Sequence, residues 1–301
     1  CMGVHALQRI AELSREWRLP VFIAQLDLKK AFDHIWHSAA IEAMEMQGVP
    51  LQARALMAKL WQQSTIKAKL DMETSTAVPL QRGLPQGAPE SPLIFTIIVE
   101  MLLRRLEATW RARGFGFTLD ELRLMSVSYA DDIILIGSSK AQLEQMLRDL
   151  VEAFGNVGLT FGAPKTHWTS LPAAPMDKIK VEDCEVEWEA SITFVGTIID
   201  LTGSAAAAVQ HRINQGNKVY HKWKPILVAK WLPLARRAEL LFKAVGVSVL
   251  WCSATWNATK AQRASLDSWG ARLVSTMAGV KRYPEEPIDS WWRRLHREGH
   301  K

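Results

Sequence analysis

Leu122-Arg123-Leu124-Met125-Ser126-Val127-Ser128-Tyr129-Ala130-Asp131-Asp132-Ile133-Ile134-Leu135-Ile136 contains two apolar runs, Leu122 to Tyr129 and Ile133 to Ile136, that meet at a pair of carboxylates. Apolar and β-branched residues on both sides of a short polar break predict two strands joined by an acidic turn. Aspartate is a common turn residue, and an isolated Asp-Asp pair needs no other explanation. Two like charges at one hairpin tip nevertheless repel each other and call for a cation. A second acidic position lies far upstream. Asp27 closes the apolar run that begins at Val21 and leads into Leu28-Lys29-Lys30-Ala31-Phe32-Asp33. The run reads as a buried strand, and a carboxylate among buried apolar neighbours is costly unless it is paired or binds metal.

Working outward from these two points, helix, strand and loop signals alternate. Val4 to Trp17 reads as a helix, as do Ile35 to Gln47 and Leu51 to Gln63, which Gly48 and Pro50 separate. Thr65 to Asp71 and Ser75 to Gln81 alternate like a hairpin. The Gly and Pro loop Arg82 to Glu90 then ends at Ser91 and Pro92, a cap and first-turn pair for a long helix to about Arg113. Lys140 to Phe154 reads as another helix. After it come a Gly-rich turn, a Pro-rich loop at Leu171 to Pro175, and strand candidates at Ile179 to Trp188 and Ser191 to Asp200. From Ala205 onward the pattern is helical. Composition, periodicity and charge change together near residue 204, which predicts two domains, 1–204 and 205–301.

The 301 residues are 48% hydrophobic and 23% charged, enough for a well-buried core. No apolar run reaches the roughly 18 residues of a membrane span, because Glu100 interrupts the best candidate, Pro92 to Leu103; a soluble protein with no membrane partner is expected. Cys1, Cys184 and Cys252 are too scattered for a disulfide framework or zinc knuckle and fit a reducing compartment. The chain opens at Cys1 without an initiator methionine, so a fragment of something longer is expected. Charge divides by region: from Val209 to the end there are seventeen Lys and Arg against six Asp and Glu, and before it twenty against twenty-five. Lys218, Lys222, Lys224, Lys230, Arg236, Arg237 and Lys243, interleaved with Tyr220, Trp223 and Trp231, fit a surface that follows a phosphate backbone or, equally, a solvated helix face. The eight histidines offer no metal set: His34 and His37 share a helix face without partners at ligand spacing, and His296 and His300 lie near the end.

Taken in order, the strand ending in Asp27, the Gly-Pro loop running into a helix, and Tyr129-Ala130-Asp131-Asp132 between two strands resemble the reverse transcriptases. Leu28-Lys29-Lys30-Ala31-Phe32-Asp33 is most similar to the phrasing of the non-LTR retroelement (LINE-type) polymerases. The resemblance implies an α/β right-hand polymerase: an antiparallel palm sheet with flanking helices and part of the fingers, then an all-helical basic thumb. It implies that Asp27, Asp131 and Asp132 form the catalytic and metal-binding set, Asp132 in support, around two Mg²⁺ ions. Phe32 matches the aromatic gate that excludes a ribose 2′ hydroxyl. Gln86 and Gly87, within Arg82-Gly83-Leu84-Pro85-Gln86-Gly87-Ala88-Pro89-Glu90-Ser91-Pro92, match the loop that approaches nucleotide and template. Gly158-Leu159-Thr160-Phe161-Gly162-Ala163-Pro164-Lys165-Thr166 resembles the motif whose lysine, here Lys165, lies near the triphosphate; Gly162 stands where many relatives carry Asn. Phe194-Val195-Gly196 resembles the primer-gripping turn.

Leu250-Trp251-Cys252-Ser253-Ala254-Thr255-Trp256 with Lys260, and Trp291-Trp292-Arg293-Arg294, resemble the thumb of the same elements, although such tryptophans are also ordinary helix-packing residues. The implied partners are an RNA template, a DNA primer and deoxynucleoside triphosphates. The implied location is inside the cell, in the nucleus if the host is eukaryotic. The fingers that hold the triphosphate in relatives are expected upstream of Cys1, and no endonuclease motif is present. Two other readings stay open: an intron-encoded reverse transcriptase that assists splicing, and a non-catalytic nucleic-acid-binding remnant of a retroelement.

Overall fold

The computed structural model describes the chain except for residues 1, 68, 72, 120, 163–164, 175–176, 182–183, 281 and 299–301. Cys1, Ala163, Pro164, Pro175 and His300, named above, lie outside the described residues, as do the side chains of Trp292 and His296. The chain forms two compact units, Glu12–Val195 and a second built from Gly196–Lys301 with Cys1–Ala11.

The first unit is organised by a six-stranded sheet in the order Lys178–Val181, Cys184–Trp188, His167–Leu171, Val21–Leu26, Asp132–Gly137, Ser126–Tyr129. Neighbours run antiparallel except His167–Leu171 beside Cys184–Trp188, which are parallel. Side chains alternate between faces along a strand, so Ala24 and Leu26 share a face with Ile133 and Leu135. All four are buried in the core that includes Phe95, Ile98 and Leu102 of the helix Ser91–Ala112 and Leu143, Met146, Leu147, Leu150 and Phe154 of the helix Lys140–Gly155. The three-and-four spacing of that second apolar set turns one stripe of the helix onto the sheet, and the Ser139 hydroxyl caps its start by accepting from the Gln142 amide at 3.2 Å. Ile23, Ile134 and Ile136, on the opposite face, are also fully buried. Burial on both faces explains why these strands read as continuous apolar runs.

The mixed helix-and-sheet class expected from the sequence is the one observed, with differences in detail, among them that Leu122 to Tyr129 divides into the strands Leu122–Leu124 and Ser126–Tyr129, which pair with different partners. His167–Leu171, paired to the central strand, was not anticipated, because His167, Thr169 and Ser170 break its apolar pattern and Pro172 follows it. The candidates Ile179 to Trp188 and Ser191 to Asp200 each divide into two strands, the second at Val195-Gly196. Ser91 is the first helical residue rather than the cap: Glu90 occupies the cap position, and the Ser91 hydroxyl donates to the Pro85 carbonyl at 2.7 Å.

In the second unit the helices Ala206–Leu227, Leu234–Leu240 and Lys260–Ala278 enclose a core of Val209, Ile213, Tyr220, Val245, Val249, Trp269 and Met277. Gly216 permits the closest approach: a Cβ there would lie 2.3 Å from Val249 Cγ2 and 2.9 Å from the Trp269 ring. Thr259 and Gln262 form a reciprocal capping box at the start of the last of these helices, and Gly279, at φ 73°, ends it in the left-handed conformation. Trp291, on the helix Ile288–Glu298, is fully buried.

Candidate active site

The central strand and its neighbour carry the acidic residues to one place. Leu26 pairs with Ile133, so Asp27, one residue beyond, and Asp132, one residue before, sit at the same end of two adjacent antiparallel strands. Residues opposite each other across such a pair share a face. By alternation this face is that of Gln25 and Ile134, opposite the helices. The strand breaks at Asp27 and resumes as Leu28–Lys29, which pairs with Thr160–Phe161 instead. Tyr129 pairs with Asp132 across a turn made by Ala130 and Asp131, with Ala130 at φ 53°, and Asp131 is exposed at the tip. Burial raises the Asp132 carboxyl above its ordinary value, and the charges of Asp131 and Asp27 push it the same way, against the lowering effect of a hydrogen bond from the Val195 amide. Asp132 therefore senses the charges of both Asp131 and Asp27.

The Gly-Pro loop is fastened to the segment that follows Asp27. The amides of Gly83 and Leu84 donate to the carbonyls of Ile35 and Phe32 at 2.7 and 2.6 Å. A Cβ on Gly83, which has φ 90°, would lie 2.7 Å from the Asp33 carbonyl oxygen, so only glycine allows that approach. His37, stacked on Trp61 at 4.9 Å between centroids, lies within hydrogen-bonding distance of the Gly83 carbonyl through Nε2 at 2.9 Å. The Gln86 carboxamide donates to Asp33 Oδ1 at 2.9 Å. Gln86, Arg82 and Asp33 line an open cavity of about 640 Å³ with Ser64, Thr65 and Leu80. Phe32 is half-buried, with its ring against Phe95 at 4.8 Å between centroids. Gly87, at φ 89°, is exposed with open space around it.

Lys165 reaches the acidic end of the sheet. Its side chain is 75% exposed, and Nζ lies 3.6 Å from Asp27 Oδ2. Gly162 explains the departure noted in this motif. Its amide donates to the Asp27 carbonyl at 2.8 Å, and a Cβ on it would lie 2.9 Å from Asp27 Oδ2. A larger residue here must displace the carboxylate.

Phe194 is buried, so its ring belongs to the core. Val195 and Gly196 take φ 49° and 67°. A β-branched residue enters the left-handed region at a cost of about 1–2 kcal/mol. The Val195 amide donates to Asp132 Oδ2 at 3.1 Å, and the Thr193 amide donates to Gln25 Oε1 at 2.7 Å. Neither Gln25, Asp33 nor His37 was picked out from the sequence for these roles. The one signal available was Gln25, a lone polar residue in an apolar strand.

In the second unit Lys218, Lys222, Lys224 and Lys230 are exposed, with Trp231 exposed beside them. Arg236 is exposed but paired with Glu239 at 3.1 Å. Arg237 corrects the reading of this stretch. It is buried, its Nε donates to the Leu232 carbonyl at 3.0 Å, and its Nη1 donates to those of Leu227 and Met277 at 3.3 and 2.6 Å. A buried guanidinium whose Nε and Nη1 are committed to three backbone carbonyls is held in the core and does not present itself to a phosphate. Arg212, also buried, donates to the Gly196 carbonyl.

Residues 4–199 match the family described as reverse transcriptase (RNA-dependent DNA polymerase). The chain belongs to the reverse transcriptase family. It is 28% identical over 177 residues to the Retrovirus-related Pol polyprotein from type-1 retrotransposable element R2 of Nasonia vitripennis, covering 58% of this chain and 17% of that protein. It is 21% identical over 261 residues to the Transposon TX1 uncharacterized 149 kDa protein of Xenopus laevis, covering 84% of this chain and 19% of that one. The chain thus spans about a fifth of the length of these relatives. Among solved structures, telomerase from Candida albicans overlays on 98% of this chain and 53% of its own with a TM-score of 0.48 and 9% identity. The likeness to non-LTR elements read from the first motif agrees with these relatives.

Reverse transcriptases as a family use divalent metal ions. The residues here fit such an ion: Asp27, Asp131 and Asp132 offer only hard oxygen donors, and the Asp132 carboxyl is destabilised by the other two charges. Among the described residues no group of three or more His, Cys, Asp or Glu side chains is gathered closely enough to hold a metal ion, so the three aspartates do not form a ready three-carboxylate site. Magnesium is usually held by one or two carboxylates with substrate phosphates and water completing its shell, and so does not require three carboxylates in one group. No described helix is long and apolar enough to cross a membrane.

Proposed function

We propose that this chain carries the catalytic centre of an RNA-directed DNA polymerase of a non-LTR retroelement, which adds deoxynucleotides to a primer 3′ hydroxyl on an RNA template. The observation that carries the reading is the register of the central strands, which brings Asp27 beside Asp132 and the Asp131 turn on one face. When bound, two Mg²⁺ ions would supply charge neutralisation and activation of the hydroxyl in an in-line phosphoryl transfer. Asp27 and Asp131 would hold them, with Asp132 beside them. Lys165, next to Asp27, would meet the negative charge of the triphosphate. Phe32, half-buried against Phe95, would present its remaining face to the sugar, and the exposed Gln86 with the open backbone at Gly87 would face nucleotide and template. The turn at Val195-Gly196 would support the primer through its backbone. The exposed Lys218, Lys222, Lys224 and Lys230 would follow the phosphate backbone of the duplex.

Primer extension on an RNA template, with the protein in its natural full length, tests this. Asp131→Asn should lose at least about a hundredfold in extension rate, the upper end of what residues supporting a metal ligand cost, while retaining duplex binding. Equal extension by the variant and its parent would remove the metal assignment. Duplex binding by a parent that extends no primer would establish instead a nucleic-acid-binding remnant.

A further inference from the structure

Asp132 is the one carboxylate of the three shown to accept a backbone hydrogen bond from another segment. Its Oδ2 takes the Val195 amide at 3.1 Å, and two residues earlier the Thr193 amide goes to Gln25 Oε1 at 2.7 Å. Amides two apart on a strand point to the same side. The segment Ser191 to Val195 is therefore hung on the sheet by two side chains, one from each of the strands that deliver the acidic residues. Gln25 precedes Asp27 by two positions and projects from the same face. Val195 sits in a left-handed conformation that its branched side chain disfavours, and the bond to Asp132 helps to hold it there. Asp131, by contrast, stands at the exposed tip of the turn.

We propose that Asp132 acts chiefly as a positioning residue: together with Gln25 it fixes the backbone of the Val195 turn, and through it the primer end, relative to Asp27 and Asp131. The inference rests on the polymerase reading above and on the resemblance of this turn to the primer grip. It separates two adjacent aspartates by role. Asp131 is left to bind metal, and Asp132 spends an oxygen on an amide and ties the acidic turn to the segment beneath the primer. Asparagine at position 132 keeps a carbonyl oxygen for the Val195 amide and loses the charge, so it distinguishes an anchor from a metal ligand.

The test is steady-state primer extension on an RNA template with the full-length protein, read as kcat, as KM for the primer–template and as the Mg²⁺ concentration giving half-maximal rate. Asp132→Ala should raise the primer–template KM about tenfold or more, in the range seen for residues that orient a site from behind. Asp132→Asn should recover most of that loss, and neither should shift the Mg²⁺ dependence. Gln25→Ala, which carries no charge into the site, should raise the same KM without a metal effect. The proposal falls if Asp132→Asn loses kcat as deeply as Asp131→Asn or needs more Mg²⁺, because Asp132 would then be a ligand while the polymerase reading stood. It falls also if Gln25→Ala leaves the primer KM unchanged in a protein that melts like its parent. A parent that extends no primer would remove the polymerase reading and this inference together.

Discussion

In the unit Glu12–Val195 the conspicuous charges gather at one end of the sheet: Asp131 and Asp27 add to the burial that raises the cost of ionising Asp132, and the exposed Lys165 stands beside Asp27. In the second unit two arginines are instead satisfied internally, Arg237 by three backbone carbonyls and Arg212 by the Gly196 carbonyl, while Lys218, Lys222, Lys224 and Lys230 are exposed. Charge left uncompensated costs stability and persists where a ligand supplies the counter-charge. Charge fully spent on backbone is architecture. The same residue type, read from sequence as a phosphate contact, can therefore be either, and only its partners decide.

The sharpest way to break this contrast is at Arg237. Arg237→Met removes the donors to Leu232, Leu227 and Met277 and leaves buried carbonyls unpaired, which should cost about 3 kcal/mol and lower the melting temperature by roughly 10 °C or more. The triple change Lys218→Ala, Lys222→Ala, Lys224→Ala should leave the melting temperature nearly unchanged. It should instead flatten the salt dependence of duplex binding, lowering the slope of log K against log salt by about 2. Calorimetry and binding at several salt concentrations check both. A stable Arg237→Met would mean that the buried guanidinium is not architecture, and an unchanged slope would return the lysines to solvent.

On the acidic side the contrast sharpens at Gly162. Its Cβ position lies 2.9 Å from Asp27 Oδ2, closer than carbon and oxygen tolerate, so Gly162→Ala must push the carboxylate aside. A displacement near 1 Å in a reacting group costs on the order of a hundredfold in rate. The shift needed here is only a few tenths of an ångström, so the expected result is a smaller loss in primer extension, about tenfold, with no change in thermal stability. Normal extension by Gly162→Ala would mean that the Asp27 carboxylate has room to spare.

How far the molecule was legible follows from the same distinction. The strand ending in Asp27, the acidic turn at Asp131, the helix after the Gly-Pro loop and the helical tail were readable because apolar runs, turn residues and charge are local signals. The strand His167–Leu171 was not, since its pairing with the central strand is long-range and its own residues alternate weakly. Ser91 reads locally as a cap, but its hydroxyl turns back to the Pro85 carbonyl of the preceding loop instead of to the helix amides. Arg237 was misread because burial is not written in a basic stretch, and Gln25 was passed over because its partner, Thr193, is distant in sequence. The departure at Gly162 was visible, and its reason, the nearness of Asp27, was not.

A smaller test comes from a carboxylate in the helical unit that is paired instead of exposed to like charge. Arg294 donates to both oxygens of Glu286, from Nε at 2.9 Å and from Nη2 at 2.6 Å, and the two side chains are only 15% and 13% exposed. These hydrogen bonds hold the Glu286 carboxyl below the ordinary glutamate value, with the Tyr283 amide and the charges of Arg294 and Arg282 acting the same way. A depressed folded-state pKa contributes stability above the unfolded value and loses it as pH falls through the folded one. Asp132, raised in the fold, has the opposite sign: its ionisation opposes folding at neutral pH. Acid below the ordinary glutamate value of 4.5 should therefore loosen the link between Glu286 and the helix Ile288–Glu298, and Glu286→Gln should weaken that link at neutral pH while flattening the acid dependence of melting. If parent and variant lose stability with the same acid profile, the fork between Glu286 and Arg294 contributes nothing to folding, and the helical unit does not owe this part of its stability to paired charge.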